Sequence, residues 1–210
     1  WAQVLIVAVK PQQMKEVLTE IAPHVDAATV VVSVAAGCEL KLIEAYFNEG
    51  VSVMRAMPNI AAQFGCSATA LFARWDETAD AHTQMTALFN RIGVATWLLV
   101  EAHLQLATAI VGSGPAYYCL LTEALMDVAC EYGLSVEEAR AFVEQTARGA
   151  AELIRQSVDS PHQLRQKITS KGGTTAAAID KMTELGFPQA VRAGVKSAIK
   201  RAFELNEAQL

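Results

Sequence analysis

The sequence predicts an α/β fold: a parallel-sheet domain over residues 1–100, followed by an all-helical domain over residues 101–210. Two observations carry that division. Short β-branched runs alternate with helix-patterned segments up to Val100, and strand patterning then disappears. With 52% hydrophobic and 19% charged residues among 210, the chain can bury one large core or two modest ones. A formal charge of −5 argues against a phosphate-backbone partner, which needs a basic surface.

Residues 4–9 are a continuous β-branched run, as in a parallel strand covered on both faces. Lys10-Pro11 ends it, and Met14, Val17, Leu18 and Ile21 mark a helix after it. The next strand, residues 29–34, runs into Ala35-Ala36-Gly37, and Leu40, Leu42, Ile43 and Phe47 mark a second helix. Residues 51–57 form a third strand, stopped by Pro58-Asn59. Strand–helix–strand–helix–strand implies right-handed crossovers and a parallel sheet. Weaker strands are expected at 68–73 and 94–100, with a helix between them from about Glu77 to Arg91. The first hundred residues thus look like the second half of a dinucleotide-binding, Rossmann-type fold. No G-x-G-x-x-G occurs in the sequence, and a start inside a strand leads us to expect that a preceding segment is missing.

Beyond Val100, residues 104–111 are helical and apolar up to Gly112-Ser113-Gly114-Pro115, and a long helix follows to about Tyr132. Its apolar residues cover so much of the circumference that more than one neighbour must bury it, which implies an obligate homodimer. Glu123, Asp127 and Glu131 form its remaining polar stripe, read as a solvated face. Ser135 with Glu138, and Ser160 with Pro161 and Gln163, are capping boxes for the next two helices. Residues 170–175, Ser-Lys-Gly-Gly-Thr-Thr, interrupt helical composition, which resumes from Ala176. Two glycines allow backbone N–H groups to converge, and a helix start adds orphan donors, so the turn suits a carboxylate or phosphate. Spacing alone also fits a joint capped by its own threonines. A final helix opens at Phe187-Pro188.

The run Leu164, Ile168, Thr169, Ser170, Gly172, Gly173, Thr174, Thr175, Ala178, Ile179, Met182 resembles the C-terminal signature of pyrroline-5-carboxylate reductases. The resemblance extends from Val4 to about Ala202, with Lys171 standing where many members have proline. It implies that Ser170, Gly172, Gly173 and Thr174 hold the substrate carboxylate. It also implies that Thr175 is catalytic, reaching the ring nitrogen. Three strand ends match in order: Ala8-Val9-Lys10-Pro11, the segment containing Ala35, and Met57-Pro58-Asn59. By resemblance they line the nicotinamide and ribose of NADP(H) or NAD(H); singly, each is also an ordinary strand terminator. Glu101 falls where the family has an acidic residue near the substrate, although a helix start favours an exposed glutamate too.

The implied function is NAD(P)H-dependent reduction of 1-pyrroline-5-carboxylate to L-proline, the last step of proline biosynthesis, by a homo-oligomer joined through its helical domain. A related imine or β-hydroxyacid reductase, or a non-catalytic helical interaction module, are the alternatives. No metal is expected, because His24, His82, His103 and His162 are scattered without ligand spacing. No membrane partner is expected, because no uninterrupted apolar run reaches about 18 residues. Four cysteines without a C-x-x-C pair, three among apolar or small neighbours, suggest buried free thiols and a cytoplasmic protein.

Overall fold

The computed structural model describes residues 2–75 and 80–207. It divides into two compact units, residues 1–115 with 195–210, and residues 116–194. The change from strands to helices comes earlier than that division: the last strand ends at Trp97.

In the first unit β1 (Val4–Val7), β2 (Val30–Ser33), β3 (Ser52–Met57), β4 (Ser67–Ala73) and β5 (Gly93–Trp97) form one sheet in the order β1-β2-β3-β4-β5. The first three strands are parallel, with Val7 opposite Ser33 and Ser33 opposite Arg55. β4 is antiparallel to β3, pairing Met57 with Ala70, and β5 runs parallel to β4. The sheet is mostly parallel, as expected, and the β3–β4 pairing is the one that departs from it. A parallel return needs a crossover of a dozen or more residues. Only nine residues separate Met57 from Ser67, enough for the 3-10 turn Ile60–Phe64 and a reversal.

Apolar side chains fill both faces of the sheet. On one face Val7, Val31, Val53, Phe72 and Ala70 pack with Met14 and Leu18 of α1 (Met14–Ile21). Leu40 and Ile43 of α2 (Leu40–Glu44) and Leu104 of α4 (His103–Ala107) join them. On the other face Val32, Met54 and Leu71 pack with Met85 and Phe89 of α3 (Asp80–Phe89). The helix expected from Glu77 begins, among the described residues, at Asp80; Glu77 itself lies outside them. Ile6 is 48% exposed, so β1 is not covered on both faces as its β-branched run suggested; it lies at the edge of the sheet. Of the four cysteines only Cys38 is buried; Cys66 and Cys119 are exposed and Cys130 is half-buried. Apolar neighbours in sequence conceal a thiol only if that face is covered.

After α4 the helix widens into a π-turn, Thr108–Gly112, in which the Ser113 N–H donates to Thr108 O at 3.0 Å. The remaining helices are α5 (Gly114–Glu131), α6 (Val136–Gln156), α7 (Pro161–Ile168), α8 (Thr174–Glu184) and α9 (Phe187–Glu207). Both expected capping boxes form, at Ser135 with Glu138 and at Ser160 with Gln163. Hydrogen bonds from Ser135 hold the Glu138 carboxyl below its ordinary range. By length and composition alone, the helical run His103–Glu131 is long and apolar enough to cross a membrane. Counting uninterrupted apolar residues misses it, because Gln105, Thr108 and Gly112-Ser113-Gly114-Pro115 break the run. On α5, Tyr118, Leu120 and Val128 are exposed.

Candidate active site

Parallel pairing of β1, β2 and β3 sends their carboxyl ends to one edge of the sheet, where open α/β folds take ligands. Ala8, Val9, Lys10 and Pro11 leave β1 there, Ala35 follows β2, and Met57-Pro58-Asn59 closes β3. Ala35 is buried, and Val9 and Met57 pack against the cluster that contains it. The structure therefore brings the three strand-end motifs together. Ala8 and Lys10 are exposed, and Pro58 and Asn59 half-exposed.

Asn59 has structural duties as well. Its Oδ1 accepts the Ala61 N–H at 3.0 Å, capping the 3-10 turn, and its Nδ2 donates to Val111 O at 3.1 Å in the π-turn. Gly112 ends that π-turn, where a Cβ would stand 2.7 Å from Met57 Cε. The atom met is the free end of a flexible side chain, so the close approach marks where β3 and the π-turn touch and does not by itself demand glycine.

Glu101 is not a free acid at a helix start. Its Oε1 accepts Arg55 Nη1 at 2.9 Å and the Leu40 N–H at 2.5 Å. Its Oε2 lies 3.8 Å from Arg74 Nη2, and Arg74 Nη1 is 2.9 Å from Glu44 Oε2. Arg55 is 4% exposed, on a strand otherwise apolar or small, and its Nε has no hydrogen-bond partner among the described residues. Burial pushes the Cys38 thiol up from its ordinary value, and the Arg55 charge partly offsets that. The signal for Arg55 was present in the sequence: an arginine inside a buried strand demands a carboxylate.

In the second unit, residues 170–173 form the turn between α7 and α8. Gly172 has φ +72°, a conformation that L side chains rarely adopt. Gly173 is the N-cap of α8, with its N–H on Ser170 O at 3.1 Å. A Cβ there would meet Ser170 Oγ at 2.5 Å. No side chain caps α8, and its ladder reaches Gly173 O with the Ala177 N–H, at 3.2 Å. The amides of Thr174, Thr175 and Ala176 thus precede that ladder. Among the described residues, the hydroxyls of Ser170, Thr174 and Thr175 have no hydrogen-bond partner. The self-capped joint is therefore not what the structure contains. What remains is a set of N–H and O–H donors at the positive end of a helix, suited to a carboxylate.

A cavity of about 360 Å³ lies elsewhere, lined by Val94, Leu98, His103 and Ile110 among others, and includes none of the expected site residues. Among the described residues no three His, Cys, Asp or Glu side chains group as metal ligands would.

A mostly parallel α/β sheet with three strand ends at one edge, followed by a helical unit, is the plan of a dinucleotide-dependent oxidoreductase. Residues 101–205 match the family model for pyrroline-5-carboxylate reductase dimerisation. The pyrroline-5-carboxylate reductase of Pseudomonas aeruginosa is 38% identical over 206 residues, which are 98% of this chain and 76% of the relative. The pyrroline-5-carboxylate reductase structure from Coxiella burnetii has a TM-score of 0.88 at 35% identity, over 97% of this chain and 76% of that one. That of the Plasmodium falciparum enzyme with NADP bound has a TM-score of 0.87 at 26% identity, over 97% and 77%. This chain belongs to the pyrroline-5-carboxylate reductase family, and it spans about three quarters of the length of these relatives. Membership sets aside the non-catalytic module and the β-hydroxyacid reductase.

Proposed function

We propose that the chain reduces the C=N bond of 1-pyrroline-5-carboxylate to give L-proline, the last step of proline biosynthesis, with NADPH or NADH as the reductant. The observation that carries this reading is the uncapped start of α8 behind Gly172 and Gly173. The substrate carboxylate takes the place of the missing cap, held by the Thr174 and Thr175 amides and the Ser170 and Thr174 hydroxyls. Thr175 Oγ1 donates to the ring nitrogen and draws electron density from the C=N bond, which makes its carbon a better hydride acceptor.

Ala8, Val9, Lys10, Pro11, Ala35, Met57, Pro58 and Asn59 would hold the dinucleotide, which supplies the hydride when bound. Glu101, the acidic residue expected near the substrate, has its carboxylate on Arg55 Nη1 and the Leu40 N–H. The exposed apolar residues of α5 form the surface that a second copy of the chain covers, and the protein works in the cytoplasm.

The test is Thr175→Ala. Loss of one hydrogen bond that strengthens in the transition state lowers kcat about ten- to a hundredfold, more than it raises KM. Thr175→Ser recovers most of the rate. A lowered melting temperature with unchanged kcat would show Thr175 to be only a helix-start residue.

A further inference from the structure

The Glu101 carboxylate ties the start of α2, which follows the β2 loop, to Arg55 near the end of β3. α2 is five residues long, and its N-cap Glu39 offers no side-chain cap. The acceptor for its first N–H, that of Leu40, is Glu101, 61 positions away in sequence. The same oxygen holds Arg55, two residues before Met57 on β3. Glu39, on the other side of that N–H, is tied by its Oε1 to Asn206 Nδ2 at 2.9 Å. The turn that carries Ala35 from β2 into α2 is therefore fixed at its far end by residues from remote parts of the chain. A buried arginine needs its carboxylate in any case. The amide contact at Leu40 is an addition that neutralising Arg55 does not require.

We propose that Glu101 is a positioning residue for the cofactor edge, capping α2 through the Leu40 N–H and so setting the turn that carries Ala35 against the Met57 end of β3. This rests on the reading that these loops hold the dinucleotide. Its carboxylate supplies an acceptor and a counter-charge, and the two contributions can be separated.

Two double variants of the full chain remove the buried charge pair. Arg55→Met with Glu101→Gln keeps an acceptor for Leu40, whereas Arg55→Met with Glu101→Leu does not. Neither leaves an unpaired buried charge, so both are expected to fold with similar melting temperatures. The proposal predicts that the Gln variant binds NADPH, followed by its fluorescence, within about threefold of the parent. The Leu variant binds about tenfold more weakly, the worth of one well-made hydrogen bond. In the cofactor-free protein, amide exchange at Leu40 accelerates only in the Leu variant. At saturating NADPH its kcat returns close to that of the Gln variant. Equal affinity and equal Leu40 exchange in the two double variants would overturn the positioning role. Ala36→Leu, which crowds the same loop directly, is the companion arm. If it leaves NADPH affinity unchanged, the cofactor-edge reading fails and takes this proposal with it. If it weakens binding while the double variants agree, only the positioning role falls.

Discussion

α7 and α8 are separated by five residues and begin in opposite ways. α7 starts behind Ser160, whose hydroxyl accepts the Gln163 N–H at 3.3 Å while Gln163 Oε1 accepts the Ser160 N–H at 2.8 Å. α8 starts behind Gly173 with three hydroxyl residues nearby in sequence and none of them capping it. α6 follows the pattern of α7, with Ser135 and Glu138. The same residue types therefore do different work according to where the backbone puts them. With Gly173 at the N-cap, α8 forgoes only a few tenths of a kcal/mol, roughly, of the stability that a Ser or Thr cap would provide. Helices α1, α2 and α4 also start without a side-chain cap, so what sets α8 apart is the pair of glycines behind it, Gly172 at φ +72° and Gly173 as its N-cap.

That contrast can be broken from either side. The largest effect is expected from Gly173→Val, which puts a branched carbon where Ser170 Oγ already stands 2.5 Å from the Cβ position. Moving the turn pulls the amides away from a carboxylate, and losing charge-assisted hydrogen bonds raises the substrate KM roughly a hundredfold in steady-state assays. A smaller and more diagnostic effect is expected from Thr174→Asp. A negative charge in the first turn of α8 favours the helix by about 0.3–1 kcal/mol and raises the melting temperature slightly. The same charge opposes the substrate carboxylate and raises KM about tenfold. Stability and binding moving in opposite directions distinguishes an anion site from a joint; if both improve or both fall, the contrast between α7 and α8 has been misread.

Features set by near neighbours were legible in the sequence. Ser135 with Glu138 and Ser160 with Gln163 lie three residues apart, so one turn of helix contains the whole interaction. β-branched runs located β1 and β2 most clearly, because burial in a sheet selects them, while β4 and β5 gave weaker signals at 68–73 and 94–100. Strand direction was not legible from composition, although the nine-residue link from Met57 to Ser67 signalled a reversal. Partners remote in the chain were invisible: Glu101 with Arg55 and Leu40, and Asn206 with Glu39. At the turn, the glycines marked a place for donors, but helix resumption at Ala176 missed that α8 already includes Thr174 and Thr175. That shift of two residues sets their amides at the open end of the helix, which gives the turn its chemistry.

The most direct test of the carboxylate site is a binding comparison by amide chemical shifts in the isotope-labelled protein, with L-proline and L-prolinamide as ligands. They differ in replacing the carboxylate by a neutral amide, so ring contacts stay nearly constant. If the start of α8 holds the carboxylate, L-proline shifts the amide resonances of Gly173, Thr174 and Thr175, and L-prolinamide binds at least tenfold more weakly with little effect on them. Equal affinities, or an L-proline complex in which those three amides do not move, would contradict it.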